Sequence, residues 1–154
     1  MKIHKLIEPD NVFIDLAADD VESALAAVID AVAPKLDLDP KNVVEALLER
    51  ESLGSTSVGD GFAIPHCKTQ GLREIALALA RFAEPVPFGG DGQDPVRFVF
   101  VVLSPPDQPA AHLQVLSQIA RVLKRSDLRA ELLAASDVEE VTGAIRRAAE
   151  TEGL

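Results

Sequence analysis

The chain contains an uninterrupted run of large branched and aromatic residues at positions 98–103, preceded by Val96 and Arg97. This run is far shorter than the ~20 residues that an apolar helix needs to cross a bilayer. A strand that is apolar on both faces is typical of the centre of a sheet whose two sides are both covered. Residues 96–103 therefore predict a central buried strand rather than a membrane span.

Helical periodicity dominates the sequence well before this strand. Apolar residues recur at intervals of three and four along the first predicted helix: Val21, Ala24, Leu25, Val28 and Val32. Asp19 and Glu22 form a possible capping pair for it, and Pro34 predicts its end. Asp39 followed by Pro40 predicts the start of a second helix.

The middle of the chain has a different pattern. Ile75, Leu77 and Leu79 alternate with alanines, which predicts a strand. An alanine-rich helix is the competing interpretation, and the flanking Gly71 and Pro85 favour the strand. Residues 85–95 are rich in proline and glycine, so we expect a turn-rich loop there.

Three more helices are predicted after the central strand. One carries Leu113 and Ile119, a short one begins at Ser126, and Ser136 with Glu139 resembles a capping box that opens the last. We expect one α/β domain over residues 1–154, with a small mixed sheet of about five strands covered by helices on both faces.

Charge and cysteine content exclude several functions. The 154 residues carry 25 acidic and 15 basic side chains, a net charge of -10, whereas binding to nucleic acid or to an anionic membrane needs a cationic surface. The single cysteine, Cys67, excludes an internal disulfide and a cysteine-rich zinc site. We expect no metal and no cofactor. The first residues do not form a signal peptide, which predicts a cytoplasmic protein.

The segment 54–68 is the strongest candidate for a functional site. It contains three glycines and several hydroxyl side chains before Pro65, and its backbone amides can face an anion. Pro65 restricts the backbone directly before His66. A stiff approach of this kind suits an imidazole that must meet a phosphorus atom in line.

Three sequence motifs resemble one family. They are residues 50–56 (Arg-Glu-Ser-Leu-Gly-Ser-Thr), residues 61–66 (Gly-Phe-Ala-Ile-Pro-His) and residues 105–113, which end in His112-Leu113. Together they are similar to the EIIA domain of the phosphotransferase system, in its fructose/mannitol class and most of all in its nitrogen-regulatory branch. The resemblance spans about residues 8 to 148.

The resemblance implies a role for each matching residue. His66 would accept a phosphoryl group from a small histidine phosphocarrier, on Nε2, and a reference pKa of about 6.5 leaves a neutral nucleophilic imidazole near pH 7. His112 would lie beside it, and Arg50 would contact phosphoryl oxygens.

Three further residues are candidates for binding phosphate. Ser55 and Thr56 can donate to it or can be turn residues, and Lys68 supplies a positive charge or is simply exposed. Cys67 stands where the family commonly has a small residue. It is either a tolerated small side chain or an oxidation sensor.

The implied function is that of a phosphoryl carrier that regulates target proteins according to its phosphorylation state. The alternative is a sugar-specific EIIA that passes the phosphoryl group to an EIIB partner for fructose or mannitol uptake. A third possibility is an interaction domain that has lost the chemistry, against which the presence of Arg50, His66 and His112 argues.

Overall fold

A computed structural model describes residues 2–88 and 95–154. The chain begins with two 3₁₀ turns, Ile3–Lys5 and Pro9–Asn11. The strands are β1 (Val12–Leu16), β2 (Ser57–Gly59), β3 (Phe62–Ala63), β4 (His66–Lys68), β5 (Ala76–Val86) and β6 (Val96–Ser104). The helices are α1 (Val21–Leu36), α2 (Pro40–Ser52), α3 (Pro109–Leu123), α4 (Ser126–Ala134) and α5 (Val138–Thr151).

All six strands belong to one mixed sheet with β6 at its centre. The strand order is β1-β5-β6-β3-β2, and β4 also pairs with β6. β5 is antiparallel to β6, whereas β3 and β4 run parallel to it and β1 runs parallel to β5. Every apolar side chain of β6 is buried, which confirms the prediction of a central strand.

Helices cover both faces of the sheet, as predicted. On one face, α1 and α2 pack against residues that include Ala78, Val99 and Val101. On the other, α3, α4 and α5 pack against Leu77, Phe100 and Val102. Alternate residues of β5 and β6 thus point into two separate cores. No helix in the described part of the chain is long and apolar enough to span a membrane.

The short strands were not predicted. The sequence before α1 contains β1, and the segment 54–68 contains β2, β3 and β4. These strands have two to five residues, too few for a periodic pattern to develop. β5 also continues through Pro85 to Val86. Of the predicted turn-rich loop, residues 89–94 lie outside the described residues.

Two helix starts are shifted by one residue from the predicted caps. Asp20, not Asp19, caps α1 by accepting a hydrogen bond from the Ser23 backbone N–H at 2.8 Å. Asp137, not Ser136, caps α5 by accepting from the Glu140 N–H at 2.9 Å. In both places two polar residues precede the helix, and the second has the extended backbone that an N-cap requires.

The predicted end of α1 at Pro34 is also wrong, because the helix continues to Leu36. Proline in a helix leaves the carbonyl four residues earlier without its backbone donor, here that of Asp30. Both Asp30 and Pro34 lie on the exposed side of α1, where water can replace that donor.

Candidate functional site

His66 is the first residue of β4, a strand that, within the described residues, has a neighbouring strand on one side only. β3 and β4 lie one after the other along β6 and are separated by Ile64 and Pro65. The Val102 N–H donates to the Pro65 carbonyl oxygen at 2.9 Å, so the alignment with β6 continues through the interruption. Among the described strands β4 pairs only with β6, and its first residue, His66, is half-buried.

The register of β4 decides which side chains meet. His66 aligns with Val102 and Lys68 with Ser104, so all four side chains lie on the sheet face that α3 covers. His112, in the first turns of α3, approaches from above this face. The structure thereby brings His66 and His112 together from positions 46 residues apart.

The imidazole rings of the two histidines lie side by side. Their centroids are 5.4 Å apart, with an angle of 53° between the ring planes. His66 Nδ1 lies 2.7 Å from the Ile64 carbonyl oxygen. A carbonyl oxygen only accepts hydrogen bonds, so Nδ1 must carry the proton. The lone pair of a neutral His66 is therefore on Nε2.

His112 is almost fully buried, with 8% of its surface exposed. Its Nδ1 lies 2.5 Å from Ser104 Oγ. Burial lowers the pKa of His112 below the ordinary value of 6.5, and electrostatic interaction with His66 and Lys68 lowers it further. His112 is consequently neutral near pH 7.

The two histidines line an open cleft of about 510 Å³ between α2 and α3. Arg50 and Lys68 line the same cleft, so two permanent positive charges surround the imidazoles. Arg50 lies in the last turn of α2, and its Nη1 donates to the Gly54 carbonyl oxygen at 2.9 Å. The remaining guanidinium donors suit an anion with several oxygens. Glu49 also lines the cleft, so two positive side chains and one negative one surround the histidines, and the cleft is locally cationic on an acidic protein.

Ser55 and Thr56 do not line this cleft. The Thr56 hydroxyl donates to Glu51 Oε1, and its backbone N–H donates to Glu51 Oε2 at 3.2 Å. Ser55 Oγ accepts from the Ser57 N–H at 3.1 Å. Both side chains therefore have structural partners that hold the segment after α2.

Cys67 borders the cleft as well, but its side chain packs in the core under α1 and α2. Its thiol is buried and lies 3.4 Å from Thr69 Oγ1. Burial raises its pKa, which lowers its reactivity. Within residues 2–88 and 95–154 no group of three or more His, Cys, Asp or Glu side chains is placed to hold a metal ion.

Three residues at the site were missed in the sequence. Ser104 contacts His112, and Leu53 and Leu113 are exposed by 81% and 65% of their surface. The apolar pattern of the predicted helix includes Leu113 and so places it on the buried face, which is wrong. Its position directly after His112 could have corrected this, because consecutive helical residues face different directions.

Comparison with known proteins defines the family. Residues 5–148 match the family model of the phosphoenolpyruvate-dependent sugar phosphotransferase system, EIIA 2. The chain is 35% identical over 141 residues to a nitrogen regulatory protein of Bradyrhizobium diazoefficiens, covering 92% of each chain. It is also 35% identical over 121 residues to a fructose-specific EIIA component of Haloferax volcanii, covering 78% and 79% of the two chains.

The fold is similar to that of a solved relative. The nitrogen regulatory protein IIA-Ntr of Neisseria meningitidis superposes with a TM-score of 0.86 at 29% identity, covering 93% of this chain and 98% of that one. The six-stranded mixed sheet, covered on both faces, is therefore that of an EIIA domain. The chain belongs to the second EIIA family of the phosphoenolpyruvate-dependent sugar phosphotransferase system.

Proposed function

We propose that this protein is a cytoplasmic phosphoryl carrier that accepts a phosphoryl group on His66 Nε2 from a histidine phosphocarrier protein. One observation carries the proposal, the hydrogen bond from His66 Nδ1 to the Ile64 carbonyl oxygen. It fixes the tautomer whose nucleophilic nitrogen is Nε2, in a cleft with two cationic side chains.

The transfer step follows from this geometry. The phosphorus–nitrogen bond of the donor breaks as the bond between phosphorus and His66 Nε2 forms. The electron pair of the broken bond stays on the donor imidazole, and the proton of His66 Nδ1 stays in its bond to Ile64. Arg50 and Lys68 stabilise the charge on the phosphoryl oxygens, which is the main requirement of this reaction.

The surroundings of the cleft suit a protein donor. Leu53 lines the cleft and Leu113 follows His112, and both are largely exposed. Exposed apolar side chains beside a polar centre are a common feature of protein docking surfaces. We expect Leu53→Asp to raise the apparent KM for the phosphocarrier, whereas Leu133→Asp, on α4, should not. Equal effects of the two substitutions would argue against docking at the cleft.

A phosphorylation assay tests the acceptor directly. The wild-type protein, incubated with an active phosphocarrier system, should gain one phosphoryl group by intact mass, and the label should be lost in acid. His66→Ala should gain none. His4→Ala is the matched control, because His4 lies in the first 3₁₀ turn, outside the cleft, and should label normally. Labelling of His66→Ala would overturn the proposal.

The regulatory branch is the preferred role. The relatives named nitrogen regulatory protein support it, one of them over 92% of both chains. A phosphoryl group of charge near -2 in the cleft changes the electrostatics of any interface built around it, with no need for a change of fold. We propose that target proteins distinguish the two states in this way.

A sugar-specific EIIA is the second candidate function. It is supported by the fructose-specific relative, which is as similar per residue as the nitrogen regulatory one. The phosphorylated protein should be incubated with fructose-type and mannitol-type EIIB proteins. Rapid onward transfer to an EIIB would favour sugar uptake, and a phosphoryl group that stays on His66 would favour regulation.

A further inference from the structure

Ser104 is the last residue of the central strand β6 and is fully buried. Its backbone is fixed, because its carbonyl oxygen accepts a hydrogen bond from the Thr69 N–H at 2.7 Å. Its hydroxyl lies 2.5 Å from His112 Nδ1, which is shorter than the 2.7 Å between His66 Nδ1 and the Ile64 carbonyl oxygen. Ser104 does not line the cleft, but its hydroxyl contacts His112, which does.

The direction of this hydrogen bond follows from the partners available to the hydroxyl. In the described part of the chain, His112 Nδ1 is the only hydrogen-bonding partner of Ser104 Oγ. If Nδ1 donated, the buried O–H of Ser104 would have no acceptor. If the hydroxyl donates to Nδ1, only the lone pairs of its oxygen have no partner. Unused lone pairs in a buried site cost less free energy than a buried donor without an acceptor. The hydroxyl is therefore the donor and Nδ1 the acceptor.

We propose that Ser104 is a positioning residue, which holds His112 in the tautomer whose Nε2–H donates a hydrogen bond to a phosphoryl oxygen on His66. This inference rests on the proposed function of His66. The two neighbouring imidazoles then have opposite tautomers. His66 carries its proton on Nδ1 and attacks with Nε2, whereas His112 accepts at Nδ1 and donates from Nε2.

The burial of His112 fits this assignment. Burial and the nearby groups lower its pKa, so that the ring enters the reaction neutral. The hydrogen bond from Ser104 then selects the tautomer. A neutral donor does not compete with His66 for the phosphoryl group, because the lone pair of its protonated Nε2 belongs to the aromatic ring and is not nucleophilic. The rigid position of Ser104 in β6 keeps the donor in place before the phosphoryl group arrives.

The tautomers can be measured without phosphorylation. In two-bond ¹H–¹⁵N spectra of the unphosphorylated wild-type protein, we expect an unprotonated Nδ1 and a protonated Nε2 for His112, and the reverse for His66. A protonated Nδ1 on His112 would overturn the inference and leave the proposed function of His66 intact. A protein that shows the expected tautomers but is never phosphorylated would instead contradict the proposed function.

A double-mutant cycle tests whether Ser104 acts through His112. We expect Ser104→Ala to slow phosphorylation of His66 about tenfold, the effect of one hydrogen bond, with an unchanged apparent KM for the phosphocarrier. In the His112→Ala background the same substitution should have no further effect. Thr142→Val, which removes another buried hydroxyl, is the control and should leave the rate unchanged. An equal loss from Ser104→Ala in both backgrounds would show a general structural effect and contradict the inference.

Discussion

Thr56→Val distinguishes a structural from a phosphate-binding role for Thr56. The substitution keeps the size of the buried side chain and removes only the hydroxyl that donates to Glu51. A hydrogen bond to a carboxylate contributes about 1.5–3 kcal/mol. Glu51 is half-buried and keeps the bond from the Thr56 N–H, so we expect a loss at the lower end, about 1.5–2 kcal/mol.

Urea denaturation and the phosphorylation rate should be measured on the same preparations. The structural role predicts a lower unfolding midpoint with an unchanged m-value, and a phosphorylation rate within about twofold of the wild type. Ser55→Ala is the control. It removes a neutral acceptor from a half-buried turn residue and should cost about 0.5 kcal/mol. A Thr56→Val protein of normal stability with a strongly reduced rate would refute the reasoning and support phosphate binding.

Four further outcomes are expected. Arg81 is buried and its Nη1 donates to three carbonyl oxygens at the end of α4. Arg81→Met should therefore lower the free energy of unfolding by about 3 kcal/mol, and Asp15→Asn, which alters only a half-exposed ion pair, by less than about 1 kcal/mol. Equal losses of unfolding free energy in the two variants would contradict a role for the carbonyl contacts of Arg81. Cys67 should react with iodoacetamide at least about tenfold more slowly in the folded protein than in the urea-unfolded protein, because burial raises the pKa of its thiol. Stability should fall as pH drops below 6.5, since the unfolded chain protonates His112 more readily, and His112→Gln should show a shallower slope. The phosphorylation rate should fall about threefold or more between low and high salt if the charge of -10 steers a basic phosphocarrier, whereas a flat rate would limit that charge to solubility.

The long elements could be predicted from local patterns. β6 has a continuous apolar run, and α2 has Asp39 and Pro40 at its start. These signals lie within one element and need no knowledge of the rest of the chain. The short strands differ, because β1 and β4 are defined by pairing with β5 and β6, which are far away in the sequence. No local pattern in two to five residues specifies such a pairing.

The residues of the site could be predicted from local motifs, but their arrangement could not. His66, His112 and Arg50 were identified by motifs, and the structure brings all three to one cleft. Their arrangement depends on the register of β4 against β6, which places His66 and Lys68 on the α3 face and Cys67 on the opposite one. The partner of Thr56 and the contact between Ser104 and His112 also follow from tertiary structure, so the motif alone could not assign them.

The identity of the phosphorylated atom tests the central claim most directly. The uniformly ¹⁵N-labelled protein should be phosphorylated by an active phosphocarrier and its imidazole nitrogens observed by ¹⁵N and ³¹P NMR. The hydrogen bond from His66 Nδ1 to Ile64 predicts a phosphorus–nitrogen coupling at His66 Nε2, with Nδ1 still protonated. A phosphoryl group on Nδ1, on His112 or on no histidine would contradict the account.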